Sequence, residues 1–485
     1  MLWYLWKWRS NVVAYRGIPT LGPTAPILSL YGAFRYVFNA KDMHEEGWRK
    51  FGRRPYKIAR FNRWLIIVSD LKVVEELRNT RDEDFSSLQA ITETLGVTYT
   101  MGPFMAVPDD LYHMDVIRTT LTRQLGALSA DLYDETQLAF ADIIPPTDEW
   151  SDVTLMKNVG EIVARVSCRA FVGLPACRDR EFLAINMQYT TEVVTTGMLV
   201  SFLPEFLKVP AVIWASRLPR LVHRAEDILR STIEERMQHS AEPNDWDDKP
   251  NDLLQWLIDA AEGAERSVQG FTMRILVVAF AALHTSSMSF VYALLHLAAN
   301  PQYMQPLREE VETVLNEEGG MSKAAIVRMR KVDSFLKECQ RIDALDSVTM
   351  LRSALRDYTF SDGTTVPAGT FVAAAKVSSH FNDEFYDEPY EFGPWRFVAL
   401  RDKDGEGIRH QMVHMTHEYM PFGFGKHACP GRFFAAQELK IMLAHVVLNY
   451  DIRSKEPGTL PDGVAFTNFN SPSHSAMAMF RKRPK

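Results

Sequence analysis

The sequence predicts a mainly α-helical fold with a small β region, carried by one large domain. Helix-period apolar patterns cover most of its 485 residues, β-type runs are few and short, and no stretch has the composition of a linker. A hydrophobic share of 46% is ample for a core of this size. The most loop-like run, 240–250, is short and lies between two helical patterns, so it joins helices rather than domains. Residues 1–24 read as a membrane-associated segment with a Pro-rich hinge, and 25–485 as the folded domain.

From the N-terminus, apolar residues three and four apart predict helices over 40–52, 71–79, 112–125, 156–171, 182–196, 215–239, 252–261, 271–300, 301–318, 323–329 and 333–342, with a last one from Arg432 onward. Short β runs fall at 56–59, 64–68, 350–354 and 370–374. The turns Ser361-Asp362-Gly363-Thr364 and Pro367-Ala368-Gly369 mark a hairpin region. The greasy stretch 198–214, broken by Pro204 and Pro210, reads as a short loop between helices. The helix 271–300, ended by Pro301, is long enough to span a bilayer. Its break at His284-Thr285-Ser286-Ser287 fits instead a buried helix with one face on a cavity.

Composition excludes several classes. The net charge is −7 and no basic block marks a nucleic-acid footprint, so no nucleic-acid partner is expected. The four cysteines, Cys168, Cys177, Cys339 and Cys429, lack the spacing of a disulfide framework and point to a reducing compartment. The opening run Met1-Leu2-Trp3-Tyr4-Leu5-Trp6 is too short to span a membrane and is no signal peptide.

The most informative stretch is 422–432, Phe-Gly-Phe-Gly-Lys-His-Ala-Cys-Pro-Gly-Arg. Gly423, Gly425 and Gly431 permit φ > 0 or the close passage of a flat ligand, and Pro430 suits a first helical turn. Cys429 therefore sits at a helix N-terminus, where free N–H groups favour a thiolate and are expected to lower its pKa. A single oriented thiolate suits one axial bond to haem iron; a buried structural cysteine is the plainer alternative.

The stretch resembles the haem-ligand signature of the cytochrome P450 family, matched by Phe422, Gly425, Cys429 and Gly431. Its companions follow in the family's order. Glu338 and Arg341 stand three apart on one helical face, and Pro394-Trp395-Arg396-Phe397 resembles the segment whose arginine joins that pair, so the resemblance implies a structural triad of Glu338, Arg341 and Arg396. A proline often found soon after the second member is absent, with Asp343-Ala344 in its place. In the long helix, Ala281-Ala282-Leu283-His284-Thr285-Ser286 resembles the family's distal motif with two changes: Ala282 replaces a glycine and His284 replaces the acid. Thr285 supplies the hydroxyl of a proton relay. His284 either stands in for the carboxylate or bonds a neighbouring helix, in which case the relay rests on Thr285, Ser286 and water.

The resemblance implies haem b, with His427, Arg352, Arg118 and His113 as candidates for its propionates; the early helix lacks the family's usual tryptophan. It implies a monooxygenase that hydroxylates, or oxidises in several steps, a lipophilic small molecule with electrons from an NADPH-cytochrome P450 reductase. The expected location is the cytosolic face of the endoplasmic reticulum membrane. The distal and cysteine segments look most like fungal members that oxidise terpenoids, and the expected pocket segments 98–101, 280–281, 347–350 and 467–469 are apolar with scattered hydroxyls. Two rivals are a haem-thiolate isomerase or dehydratase needing no reductase, and a non-catalytic haem protein.

Overall fold

The computed structural model describes residues 14–484 except 16, 62, 108–110, 146, 204, 242–245 and 457. The opening aromatic run, Arg9 and Arg16 lie outside the described residues. The helices are α1 Pro26–Phe51, α2 Leu71–Asn79, α3 Ser87–Leu95, α4 Tyr112–Val116, α5 Thr122–Ile143, α6 Leu155–Phe171, α7 Arg180–Phe202, α8 Glu205–Ala215, α9 Leu218–Ala241, α10 Leu253–Ala260, α11 Val268–Ala299, α12 Met304–Glu318, α13 Lys323–Arg328, α14 Arg330–Ile342, α15 Arg396–Arg401 and α16 Arg432–Asn449. Side-chain caps start many of them. Asp70, Ser86, Asp179, Asp252, Ser267 and Ser322 each accept a hydrogen bond from a backbone N–H of the first turn.

The strands are β1 Thr20–Leu21, β2 Tyr56–Ala59, β3 Trp64–Val68, β4 Phe85–Ser86, β5 Ser151–Thr154, β6 Val348–Ala354, β7 Tyr358–Thr359, β8 Thr365–Val366, β9 Phe371–Ala375, β10 Tyr450–Arg453, β11 Val464–Phe466, β12 Phe469–Ser471 and β13 Met477–Lys482. The main sheet runs β1-β2-β3-β9-β6-β4; β10-β13-β5 form a second, and β11-β12 and β7-β8 are hairpins. Strand β3 lies parallel to β9, Leu65 opposite Phe371. The β6–β9 register slips between Thr349 and Arg352, with Met350 at φ 56°.

The largest apolar core joins α5, α6, α7, α9, α10, α11, α12, α14 and α16, with two smaller clusters on either face of the main sheet. Helix α11 runs through this body, and more than half of its most apolar window is buried there. Its greasiness is that of a core helix.

Four expectations change. Helix α1 begins at Pro26 rather than residue 40, with a kink at Asn39, because its N-terminal half exposes Leu28, Tyr31, Phe34 and Phe38 and so shows no polar face to reveal its period. The helix expected over 112–125 passes through a π-helical turn, Ile117–Leu121, and continues to Ile143. The loop expected at 198–214 is largely helical: α7 runs to Phe202, and α8 forms with Pro210 inside it. Helix α3 and the C-terminal strands β10 and β13 went unpredicted. The two strands form by pairing with segments far away in sequence, β13 lying between β10 and β5.

Candidate functional site around Cys429

The cysteine loop is set by its backbone. Gly423 and Gly425 adopt φ 79° and 77°, and a Cβ at Gly425 would stand 2.7 Å from Arg78 Cγ. A 3₁₀ turn over Gly425–His427 closes with Ala428 N–H donating to Gly425 O (3.0 Å), and Cys429 N–H donates to Phe422 O (2.8 Å). Gly431, in contrast, has φ −85° and a Cβ there would meet nothing within 4 Å. Neither strain nor protein crowding calls for glycine at Gly431; glycine suits its N-cap position, and the open space beside it leaves room for a flat ligand.

The Cys429 thiol is half-buried. Burial pushes it above the ordinary thiol range, opposed by the N–H groups of Gly431 and Arg432 and by the Arg432 charge. This corrects the expected net lowering: the helix start does favour the anion, but desolvation outweighs it. A metal cation at the sulfur takes the proton's place and reverses the balance.

Beneath the loop, Glu338 and Arg341 form a fully buried bidentate pair at 2.7 and 2.8 Å, and Arg396 Nε donates to Glu338 Oε1 at 3.2 Å. The three residues come together as the sequence predicted. Gly393 N–H also donates to Glu338 (2.9 Å), while Arg341 donates to the carbonyls of His380 and Pro389, so the triad ties down the chain around residues 387–393. His380, missed at sequence level, carries this order toward the cysteine. Its Nδ1 lies 3.1 Å from Arg341 O, and its Nε2 accepts from Met420 N–H at 3.1 Å, two residues before Phe422. Only the folded chain brings 341, 380 and 420 together.

Helix α11 carries Thr285, exposed, its hydroxyl donating to Ala281 O (2.9 Å). His284 is part-buried; burial, and then the nearby His474, push its pKa down. Ser286 does not join Thr285. It is buried on the other face beside Glu438 of α16, a carboxyl that also accepts from Ser167 (2.5 Å) and that burial pushes up to about 7. Glu438 had no sequence signal, since its neighbours come from α6 and α11.

The propionate candidates divide. Arg352 is buried, and its one side-chain hydrogen bond among the described residues is to Leu351 O (3.0 Å); burial pushes it down to about 10. A buried guanidinium held by one neutral carbonyl calls for an anion. His427 stands close by, bonded to Asp82 (2.8 Å) and Ser87 (3.2 Å), and its pKa is lowered by burial and by the Arg352 charge. Arg118 is exposed, paired with Asp115 (3.1 Å), and close enough to Arg432 for their charges to repel. His113 is drawn elsewhere: it is buried with Nδ1 2.8 Å from Arg274. Arg352 is the strongest of the four: both ring nitrogens of His427 are already bonded, Arg118 is paired with Asp115, and His113 faces Arg274 with its Nε2 unpartnered among the described residues. With the lone thiol and the open Gly431, Arg352 fits an iron porphyrin bearing carboxylates. A separate cavity of about 160 Å³, lined by residues that include His44, Tyr292, Leu295, Asp346 and Lys376, contains none of these groups.

The family model for cytochrome P450 matches residues 33–474. Cytochrome P450 monooxygenase 151 of Postia placenta is 42% identical, covering 99% of this chain and 96% of the relative. Cytochrome P450 monooxygenase CYP512U6 of Ganoderma lucidum is 36% identical over 94% and 90% of the two chains, and cytochrome P450 monooxygenase paxQ of Penicillium paxilli 29% over 99% and 95%. Among solved structures, retinoic acid bound cyanobacterial CYP120A1 shares the fold with a TM-score of 0.70 at 19% identity, covering 96% of this chain and 98% of that one.

Proposed function

The chain belongs to the cytochrome P450 family and is a monooxygenase of the fungal kind, and on that premise we propose that it hydroxylates a bulky lipophilic terpenoid, with electrons from an NADPH-dependent reductase. Haem held by a thiolate supplies an electron-rich iron that favours O–O cleavage. Cys429 would ligate the iron, Arg352 would hold a propionate with His427 and Arg118 as further candidates, and the Glu338–Arg341–Arg396 triad would keep the thiolate loop rigid through His380.

The observation that carries the reading is Thr285, an exposed hydroxyl on the long buried helix. Its hydroxyl would pass protons toward the haem side of the helix, and His284, held neutral by burial, would relay them by accepting at one ring nitrogen while donating from the other. The family-placed pocket segments mix apolar side chains with hydroxyls, which suits a bulky lipophilic substrate bearing few polar groups. Supply of such a substrate from a membrane is consistent with the exposed apolar residues of α8 (Phe206, Val209, Ile213, Trp214) and of α1. We place the enzyme on the cytosolic face of the endoplasmic reticulum membrane.

The test is co-expression with a fungal NADPH-cytochrome P450 reductase and product analysis on a terpenoid panel. Products carrying one added oxygen, dependent on NADPH and reductase, are expected. Turnover without either would instead establish the isomerase or dehydratase chemistry for which the missing acid at His284 is the motive.

A further inference from the structure

We infer that Arg274, which no sequence motif singles out, is the positioning residue that fixes the far wall of the substrate cavity and so sets how long a ligand the site accepts. The inference rests on the role proposed above for Thr285, and so on a substrate cavity that lies over that residue.

Placement follows from helix geometry. Arg274 precedes Thr285 by eleven residues, which at 3.6 residues per turn is three turns within about 20°, so both stand on one stripe of α11 about 16 Å apart. Ala281 lies on the same stripe between them. Whatever is fastened to Arg274 therefore stands at the other end of the surface that begins at Thr285, separated from it by roughly the length of a fused-ring or long-chain molecule.

The fastening is extensive. The Arg274 side chain is fully buried, and its guanidinium stacks over the rings of Tyr112 (4.1 Å) and Phe104 (4.6 Å). Nε donates to Glu265 Oε2 at 3.1 Å, and Nη1 lies 2.8 Å from His113 Nδ1. A guanidinium only donates, so His113 Nδ1 accepts and the ring carries its proton on Nε2. Burial, and then the Arg274 charge, push His113 down to about 3, so it stays neutral across physiological pH and the contact is pH-insensitive. On the preceding residue, Met273 Cε lies 3.6 Å from where a Cβ at Gly102 would stand, and Gly102 turns at φ 96°. The Arg274 side chain thus clamps both Phe104 and the Tyr112–His113 pair against the helix. Lysine reproduces the charge but neither the fork nor the planar stacking.

The experiment uses the haem-loaded protein and two probes that ligate haem iron from the distal side, 1-methylimidazole and 1-dodecylimidazole, read by the shift of the Soret band. Arg274→Met is expected to weaken the dodecyl compound at least tenfold while leaving the methyl compound within twofold, with Arg274→Lys intermediate. Backbone amides of 102–116 are expected to exchange faster in both variants. Equal shifts for the two azoles, or none for either, would overturn the inference. Should Arg274→Met fail to yield holoprotein, Phe104→Ala and Tyr112→Leu strip the stacking from the loop side and must reproduce the same discrimination. A wild-type protein giving no Soret band would fault the haem reading instead.

Discussion

The cysteine side of the molecule and its apolar edge are held by opposite means. Around Cys429 the chain is fixed by charge-assisted hydrogen bonds among fully buried groups: Glu338 and Arg341 are 0% exposed, and backbone carbonyls and N–H groups of the 380–393 segment complete their bonding. At the other edge, α8 is an eleven-residue helix, with Pro210 inside it, that packs lightly against α7 and leaves Phe206 77% and Trp214 89% exposed. A ligand that must be held in one geometry needs the first kind of construction. A route by which a greasy molecule enters needs the second, since buried polar networks do not open cheaply.

The sharpest way to break this comparison is at the sulfur. Cys429→Ala should abolish the thiolate-type absorption of the reduced, carbon monoxide-bound protein and all monooxygenation. Retention of that band would remove Cys429 from the iron.

Next in size is the triad. Arg341→Met leaves the Glu338 carboxylate buried and short of its main partner, a loss of about 3–5 kcal/mol for a pair of this kind. Chemical denaturation should show it, together with loss of bound haem. The same loss is not expected from Arg328→Met, whose pairs with Glu317 and Glu318 lie at the surface, where solvent screening leaves little net stabilisation. Equal effects of the two changes would mean that the buried network is not what holds the loop.

Between the two regions lies Thr285. Thr285→Ala removes the hydroxyl but not the fold, and product formed per NADPH consumed is expected to fall by about tenfold or more. Replacing His284 by Asp tests its partner: unchanged coupling would mark the imidazole as structural.

The same contrast explains what the sequence disclosed. The cysteine loop was legible because it depends on local backbone demands, glycines at positive φ and a helix start, that leave fixed residues at fixed spacing. The pairing of Glu338 with Arg341 was legible for the same reason, being three apart on one helix. The direction of Ser286 was not, since Thr285 and Ser286 differ by 100° around α11 and only the packing of α16 decides which of them faces Glu438. Nor was the link through His380, or the capture of His113 by Arg274, each joining residues 39 to 161 positions apart. Helices α1 and α8 were misread because their exposed faces carry apolar residues, which defeats a pattern that assumes water on one side.

Glu438 gives a smaller, pH-dependent effect within the rigid region. Its folded pKa of about 7 lies above the ordinary carboxyl value. A raised value means that the stability contribution is complete at pH below about 4.5 and is lost as pH rises through 7, by at most about 3 kcal/mol. Glu438→Gln should flatten that fall, so its melting temperature should exceed that of the wild type at pH 8 and match it near pH 5. A parallel pH profile for both proteins would show that the carboxyl is not titrating in the fold.

The smallest effect on stability belongs to the apolar edge, and it is the most diagnostic of function there. Phe206 and Trp214 contribute little buried area, so Phe206→Ser with Trp214→Ser should leave unfolding within about 0.5 kcal/mol. If the edge meets lipid, the same pair should lower affinity for phosphatidylcholine vesicles, read by co-sedimentation, by about a hundredfold or more, because each large side chain withheld from the bilayer forfeits about 1.5–3 kcal/mol of apolar burial. Arg274 and the triad are untouched by this change, so azole binding should stay as in the wild type. Loss of vesicle binding with azole affinity intact would separate the two constructions, whereas loss of both would show that the edge and the site fold as one unit.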